Sequence, residues 1–233
     1  MEAETLYLFD KEFEDKFNWL KNRLRLRMNG ETSVQMQARS KAYTINYGVA
    51  LSDLKEIAAD CDFTAADLDR LWQTKIREAM LLAAMSLPDG EMTLERMSRW
   101  LGGVVSQDMA EQVSFFAFGR SRHVSDFVAL IVGESRPGLP MVVAMFSAAR
   151  ALQLNRPLMP EAVDLVLDFV KKWQPATLAE ARACSSLFRA MLRRKLRPAA
   201  DLQHALLSAK SGDNAFCAMV YDEFESELSM LVN

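Results

Sequence analysis

The segment Val163-Asp-Leu-Val-Leu-Asp-Phe-Val170 is apolar on nearly every side when it is wound as an α-helix, and Met80-Leu-Leu-Ala-Ala-Met85 shares this property. A helix that is apolar all round is stable in water only when other helices enclose it. These two segments therefore predict inner helices that are sandwiched between neighbours in a stack.

The composition favours helix over strand throughout the chain. Nine Gly and seven Pro are few for 233 residues, whereas Leu, Ala, Met, Glu and Arg are abundant. A hydrophobic content of 50% is ample for a sizeable core. We expect an all-α protein.

Apolar spacing and turn residues divide the chain into short helices. The predicted helices cover residues 5–28, 51–60, 64–75, 76–87, 93–102, 106–118, 124–133, 141–152, 160–173, 177–196, 199–209 and 214–232. Residues 30–50 are aperiodic and predict a basic connecting loop. Thr64 with Asp67, and Thr177 with Glu180, are spaced as N-terminal capping boxes.

Helical hairpins at a rough spacing of about 30 to 45 residues are typical of HEAT or armadillo repeats, in which each pair buries its apolar face against its neighbours. We therefore expect an all-α superhelix of antiparallel helix pairs, built as one solenoid domain over residues 1–233. Within it we expect an N-terminal helix and basic loop over 1–44, repeats over 45–196 and C-terminal capping helices over 197–233.

Charge and cysteine usage limit the possible functions. The net charge is only −3, so a nucleic-acid surface requires segregated charge, and positions 21–41 and 182–197 are indeed basic. The three Cys residues lack disulfide or metal-site spacing, and no signal peptide or membrane span is evident. We expect a cytoplasmic monomer without a metal or another cofactor.

Four short elements occur in a fixed order: Asn46-Tyr-Gly-Val49, then Leu54-Lys-Glu-Ile-Ala58, then Leu71-Trp72, then Ile76-Arg-Glu-Ala-Met-Leu-Leu-Ala83. Over residues 45–195 the chain resembles the DNA alkylation repair family of HEAT-like glycosylases. This resemblance implies a bacterial protein that binds double-stranded DNA and releases N3- or N7-alkylated purines by cleaving the N-glycosidic bond.

Such a reaction needs little acid catalysis, because the leaving base is already cationic. The protein must mainly stabilise an oxocarbenium-like sugar with a carboxylate and with aromatic rings. The family's motif is a Trp followed four positions later by an Asp. In this chain the resemblance places Gln107 at the aromatic position, Asp108 beside it and Glu111 at the carboxylate, so we expect weak or absent activity. Trp100 could replace the missing ring, but we expect it to pack in the core.

Asp108 and Glu111 also have a structural interpretation, because acids in the first turn after Ser106 complement the helix dipole. The same holds for the cations near residue 195, which favour a helix C-terminus. The alternative is phosphate contact, for which the resemblance suggests Phe188 with Arg189 or Arg193. The full set of candidate DNA-binding residues is Phe188, Arg189, Arg193, Arg194, Lys195, Arg39 and Lys41.

Three further interpretations follow from the sequence. We expect Arg77 and Glu78 to form an ion pair that stabilises the repeats, and we expect the run Phe115-Phe-Ala-Phe118 to fill the core. A protein-interaction scaffold without any nucleic-acid function is the alternative to DNA binding, and the overall acidity and the altered motif favour it.

Overall fold

A computed structural model of the chain describes residues 10–39, 43–209 and 213–232. These residues form thirteen α-helices and two short 3₁₀ helices, and their only β-type pairing is a parallel bridge between Ile45 and Ile76. The predicted all-α class is therefore confirmed for the described part of the chain.

The chain divides into two compact units between Ser86 and Leu87. The first unit contains α1 (Lys11–Leu26), α2 (Gly30–Arg39), α3 (Leu51–Ala59), α4 (Ala65–Gln73) and α5 (Arg77–Ser86). The second contains α6 (Leu94–Leu101), α7 (Gln107–Phe116), α8 (Val124–Gly133), α9 (Leu139–Gln153), α10 (Pro160–Val170), α11 (Leu178–Arg193), α12 (Ala199–Ala209) and α13 (Ala215–Val232), with 3₁₀ turns at Asp89–Glu91 and Phe118–Arg120. The domain boundaries predicted after residues 44 and 196 stay predictions.

The loop predicted over residues 30–50 was wrong in its first half, because Gly30–Arg39 is helical. Asn29, taken from the sequence as the end of the first helix, instead begins the next one. Its side-chain oxygen accepts a hydrogen bond from the Thr32 amide at 3.0 Å, as an N-cap residue does. A short polar helix has little apolar periodicity to detect, and its capping residue was the available signal.

The first helix begins at Lys11 and ends at Leu26. Phe13, Leu20 and Leu24 are buried along its apolar stripe, as predicted, but Met28 is 58% exposed because it lies beyond the last turn. Positions 5–9 of the predicted helix lie outside the described residues.

Glu78 organises the first unit around a fully buried carboxylate. Its two oxygens accept hydrogen bonds from the Tyr47 and Gly48 amides, each at 3.0 Å, and the Arg77 guanidinium lies 3.5 Å away. The predicted Arg77–Glu78 pair is confirmed, and the structure adds that it holds residues 46–49 against α5.

Gly48 is required at this position. Its φ of +67° is unfavourable for other residues, and an added Cβ would lie 2.3 Å from the Asn29 carbonyl oxygen and 2.6 Å from the Ser33 nitrogen. The Gly-Val and Arg-Glu elements of the sequence are therefore two parts of one structural cluster.

Helices of the second unit form two layers. In one layer, called here the odd-helix layer, α7 packs on α9, α9 on α11 and α11 on α13. In the other, the even-helix layer, α6 packs on α8, α8 on α10 and α10 on α12. Both capping boxes are present, and Glu180 of the second box also accepts a hydrogen bond from the Gly138 amide at 2.8 Å. One buried carboxylate thus fixes the start of α9 relative to the start of α11.

No helix among the described residues is long and apolar enough to cross a bilayer. In the same residues, no group of three or more His, Cys, Asp or Glu side chains is arranged to hold a metal ion.

Candidate nucleic-acid interface

The helix α7 carries the three candidate catalytic residues in its first turns. Ser106 caps the helix by accepting a hydrogen bond from the Met109 amide at 3.2 Å. Gln107 Nε2 donates to Glu111 Oε1 at 2.8 Å, and both side chains are partly exposed. Asp108 lies in the first turn, where its charge complements the helix dipole. The position that the resemblance assigns to an aromatic ring therefore holds an amide that bonds to the carboxylate.

Trp100 does not supply the missing ring. It is 1% exposed and lies in α6, in the even-helix layer. The prediction that it packs in the core is confirmed.

The prediction that Phe115 fills the core was wrong. Phe118 of the same run is fully buried as predicted, but Phe115 is 42% exposed. It follows Glu111 by four positions, so Gln107, Glu111 and Phe115 share one face of α7. An aromatic ring therefore does lie next to the candidate carboxylate, one turn after it rather than one turn before it.

The ring of Phe115 lies against Arg150 of α9. The guanidinium carbon is 3.8 Å from the ring centroid, a close cation–π contact. Arg150 Nη1 reaches the side-chain oxygen of Gln153 at 3.5 Å. Burial and the nearby Arg120 charge lower the pKa of Arg150 below its ordinary value.

Arg189 and Arg193 of α11 converge on Glu227 of α13. Arg189 Nε lies 3.0 Å from Glu227 Oε2, and Arg193 donates to both carboxylate oxygens, with Nη2 at 2.9 Å from Oε2. Glu227 is 5% exposed, and the hydrogen bond from Arg193 is the main cause that lowers its pKa. Glu223 approaches Arg189 to 4.0 Å. These two predicted phosphate ligands are thus held in place, and partly neutralised, by the acidic last helix.

Arg194 and Lys195 follow the end of α11 and are exposed. Arg194 Nε donates to the Leu152 carbonyl oxygen at 2.8 Å, so this residue caps the end of α9. A groove of about 440 Å³ lies between α9 and α11, with walls formed by Leu152, Gln153, Ser186, Arg189, Ala190, Arg193 and Arg194.

Phe188 belongs to the core. It is fully buried and meets Phe224 of α13 edge to face, with ring centroids 6.5 Å apart. Its expected contact with DNA is incompatible with this burial. The neighbouring Arg189 and Arg193 face the groove because they lie one position and five positions later on the helix.

Of the N-terminal candidates, Arg39 ends α2 and its side chain is not described, while Lys41 lies outside the described residues. Arg27 of the same basic segment contacts Glu56 at 3.2 Å, and Arg23 lies over the Trp19 ring. This segment belongs to the first unit, whereas the groove belongs to the second.

Contacts form a path along the odd-helix layer from Phe115 of α7 to the groove between α9 and α11. Glu111 and Phe115 lie on α7, Phe115 contacts Arg150 of α9, and Arg150 reaches Gln153, which lines the groove with Arg189 and Arg193. The path joins an exposed ring to a cluster of guanidinium groups, and Glu111 lies one helical turn before the ring.

Stacked helix pairs of this kind are the architecture of HEAT-like repeat proteins. Residues 20–128 match the family model of the DNA alkylation repair enzymes. This part of the chain is therefore similar to these enzymes, as the short sequence elements predicted.

A solved structure shows the same fold over most of its length. It is described as coming from a new family of proteins related to the HEAT-like repeat DNA glycosylases with affinity for branched DNA structures. The TM-score is 0.73 at 15% identity, and the alignment covers 92% of this chain and 94% of that chain. This likeness confirms the predicted HEAT-like arrangement of helix pairs. No curated protein matches the chain.

Proposed function

We propose that this protein binds DNA through the sugar-phosphate backbone, using the odd-helix layer of its second unit. The cluster of arginines in the groove between α9 and α11 carries the proposal. Guanidinium groups bind phosphate oxygens through several N–H donors at once, and three arginines line this groove. The described affinity of the similar solved protein for branched DNA supports DNA as the ligand.

We propose in addition that excision of N3- or N7-alkylated purines is weak or absent. Glu111 shares one oxygen with the Gln107 amide, which reduces the negative charge available to an oxocarbenium-like sugar. Free-base release from duplex bearing N7-methylguanine is the direct measurement. A release that is equal in the protein and in its Glu111→Ala variant would remove Glu111 from the reaction.

The binding proposal is tested by removing arginines from the groove. We expect the Arg189→Ala, Arg193→Ala double variant to bind duplex more weakly than the native protein at about 50 mM salt, irrespective of base sequence. Arg197→Ala is the matched control, since Arg197 pairs with Asp164 of α10 in the even-helix layer and does not line the groove. Equal losses from both variants would contradict the proposed location.

A protein-interaction scaffold is the second candidate function, and one observation favours it. Glu227 and Glu223 already compensate Arg189 and Arg193, so the groove has little excess positive charge. Under this alternative the native protein has no detectable affinity for duplex at about 50 mM salt.

We also propose that the protein acts as a monomer in a bacterial cytoplasm. Cys61, Cys184 and Cys217 are free thiols, which suits a reducing compartment. The bacterial source rests on the family resemblance alone.

A further inference from the structure

Phe115 is an exposed aromatic side chain of α7. It lies on the face that Gln107 and Glu111 begin on α7, and it is 42% exposed although Phe118 of the same run is buried. Phe116 meets it edge to face, with ring centroids 5.0 Å apart. Core packing therefore does not account for the position of Phe115.

Arg150 supports the ring in a specific way. Its guanidinium carbon lies 3.8 Å from the ring centroid, and its Nε is buried without a hydrogen-bond acceptor among the described residues. No carboxylate among the described residues forms a salt bridge with Arg150, so the ring is its main partner. The guanidinium of Arg150 therefore lies over the Phe115 ring.

Gly119 leaves room for this pair. A Cβ at position 119 would lie 2.6 Å and 2.7 Å from Cβ and Cγ of Arg150, and 2.8 Å from the Ser114 carbonyl oxygen. The stem of Arg150 therefore passes directly over the backbone of the turn after α7. Because Gly119 has no side chain, the Arg150 stem can lie against this turn, and its guanidinium can contact the Phe115 ring.

We infer that Phe115 and Arg150 form a stacking platform for a nucleobase whose face is free because the base is unpaired. The inference rests on the proposed DNA-binding function and adds a contact to a base. Aromatic rings and guanidinium groups stack on bases with little dependence on sequence, and each such contact contributes about 1 to 3 kcal/mol. A base inside a continuous duplex already has neighbours on both faces, so the platform discriminates between paired and unpaired DNA.

The charge of the platform selects among bases. The positive charge of Arg150 repels a second cation that stacks on the other face of the Phe115 ring. A neutral base is not repelled, and it stacks favourably because the guanidinium draws electron density from the ring. A neutral unpaired base therefore suits Phe115 better than a cationic alkylated purine does. This preference is consistent with a protein that has Gln107 where the family resemblance places an aromatic ring.

The test uses the full chain and two duplexes that share one strand containing a single 2-aminopurine. In the first duplex the complementary strand pairs with every base, and in the second the complementary strand lacks the nucleotide opposite 2-aminopurine, which is therefore a bulge. The fluorescence of 2-aminopurine falls when the base stacks. We expect the native protein to quench the bulged probe and Phe115→Ala to leave it bright, with a loss of affinity of at least about fivefold for the bulged duplex. Affinity for the paired duplex should stay within about twofold.

Three variants accompany this measurement. Phe115→Trp should keep both quenching and affinity, and Gly119→Ala should weaken both because it displaces Arg150. Leu178→Ala is the matched control, since Leu178 is also 42% exposed but lies at the start of α11. Far-ultraviolet circular dichroism verifies that each variant is folded.

Each outcome decides the inference. Unchanged binding and quenching by Phe115→Ala would overturn the platform while leaving backbone binding intact. An equal loss on paired and bulged DNA would also overturn it, because the contact would then not depend on a free base face. Absence of binding to both duplexes by the native protein would refute the proposed function, and the platform with it.

Discussion

Gln107 and Glu111 occupy the positions that the family resemblance assigns to the aromatic ring and to the catalytic carboxylate. The helix α7 holds both residues one turn apart, as the family motif requires, but the first is an amide that donates to the second at 2.8 Å. A carboxylate that accepts this bond is less available to a developing positive charge than one that faces an aromatic ring. We propose that these two side chains cause the weak or absent excision activity, so their replacement should raise it.

We expect the double variant Gln107→Trp, Glu111→Asp to release N7-methylguanine from duplex at least about tenfold faster than the native protein, because it restores a ring and a shorter carboxylate. Single-turnover release of free base is the measurement. The control is Gln107→Trp, Glu111→Asn, which has the same shape without the charge. Equal rates from the two double variants would show that the carboxylate contributes nothing.

Glu78 is the residue on which the first unit most depends. Both of its oxygens are used by backbone amides, and no part of it is exposed. We expect Glu78→Gln to lower the free energy of unfolding by about 2 to 4 kcal/mol, since one oxygen becomes a donor that faces another donor. Urea unfolding followed by circular dichroism tests this.

Glu56→Gln is the control for Glu78. The Glu56 side chain is 67% exposed and contacts Arg27 at 3.2 Å, so its loss should change stability by less than about 1 kcal/mol. A similar effect from both variants would show that burial of the Glu78 carboxylate is not the cause.

At the scale of elements, carboxylates of α13 compensate the positive charge of the arginines on α11. Glu227 is the central carboxylate, and the hydrogen bond from Arg193 lowers its pKa below the ordinary 4.5. A carboxyl with a lower pKa in the folded state stabilises the fold at pH values above its ordinary pKa. This stabilisation disappears as the pH falls through the folded-state value.

The stability difference between the native protein and Glu227→Gln should therefore be largest near neutral pH and should shrink as the pH is lowered below 4.5. Denaturant midpoints at several pH values between about 3 and 7 measure it. Glu95→Gln serves as the control, because the Glu95 side chain is 88% exposed and its pair with Arg99 spans 3.8 Å. A difference that does not vary with pH would show that Glu227 has no pKa shift linked to folding.

At the scale of the whole molecule, the net charge of −3 means that DNA affinity must come from a local surface. Binding that depends on a few phosphate contacts releases counterions, so the affinity should fall as salt is raised. We expect the logarithm of the association constant to decrease linearly with the logarithm of salt concentration between about 50 and 200 mM. The Arg189→Ala, Arg193→Ala variant should have a slope that is smaller by about 2.

Fluorescence anisotropy of labelled duplex gives both slopes. Arg197→Ala should keep the native slope, since its partner Asp164 lies in the even-helix layer. Identical slopes for the native protein and the double variant would mean that Arg189 and Arg193 remain committed to Glu227 and do not contact phosphate. That result would favour the scaffold.

Apolar periodicity and capping residues by themselves determined the all-α class, most helices of the second unit and both capping boxes, because these features depend on neighbours within a few positions of the chain. The family resemblance could also be recognised from the sequence, since Asn46-Tyr-Gly-Val49 and Arg77-Glu78 are short local patterns. The sequence did not predict that these two patterns contact each other, because the Glu78 carboxylate accepts hydrogen bonds from the amides of residues 47 and 48 only in the folded chain.

Only the tertiary structure decided which side chains are available to a ligand. Phe115 and Phe188 have the same chemistry, yet one is exposed over Arg150 and the other is buried against Phe224, because different helices cover their faces. The pairing of Arg189 and Arg193 with Glu227 spans at least 34 positions and sets how much positive charge the groove presents. Such long-range contacts depend on how the helices stack, which local periodicity does not encode.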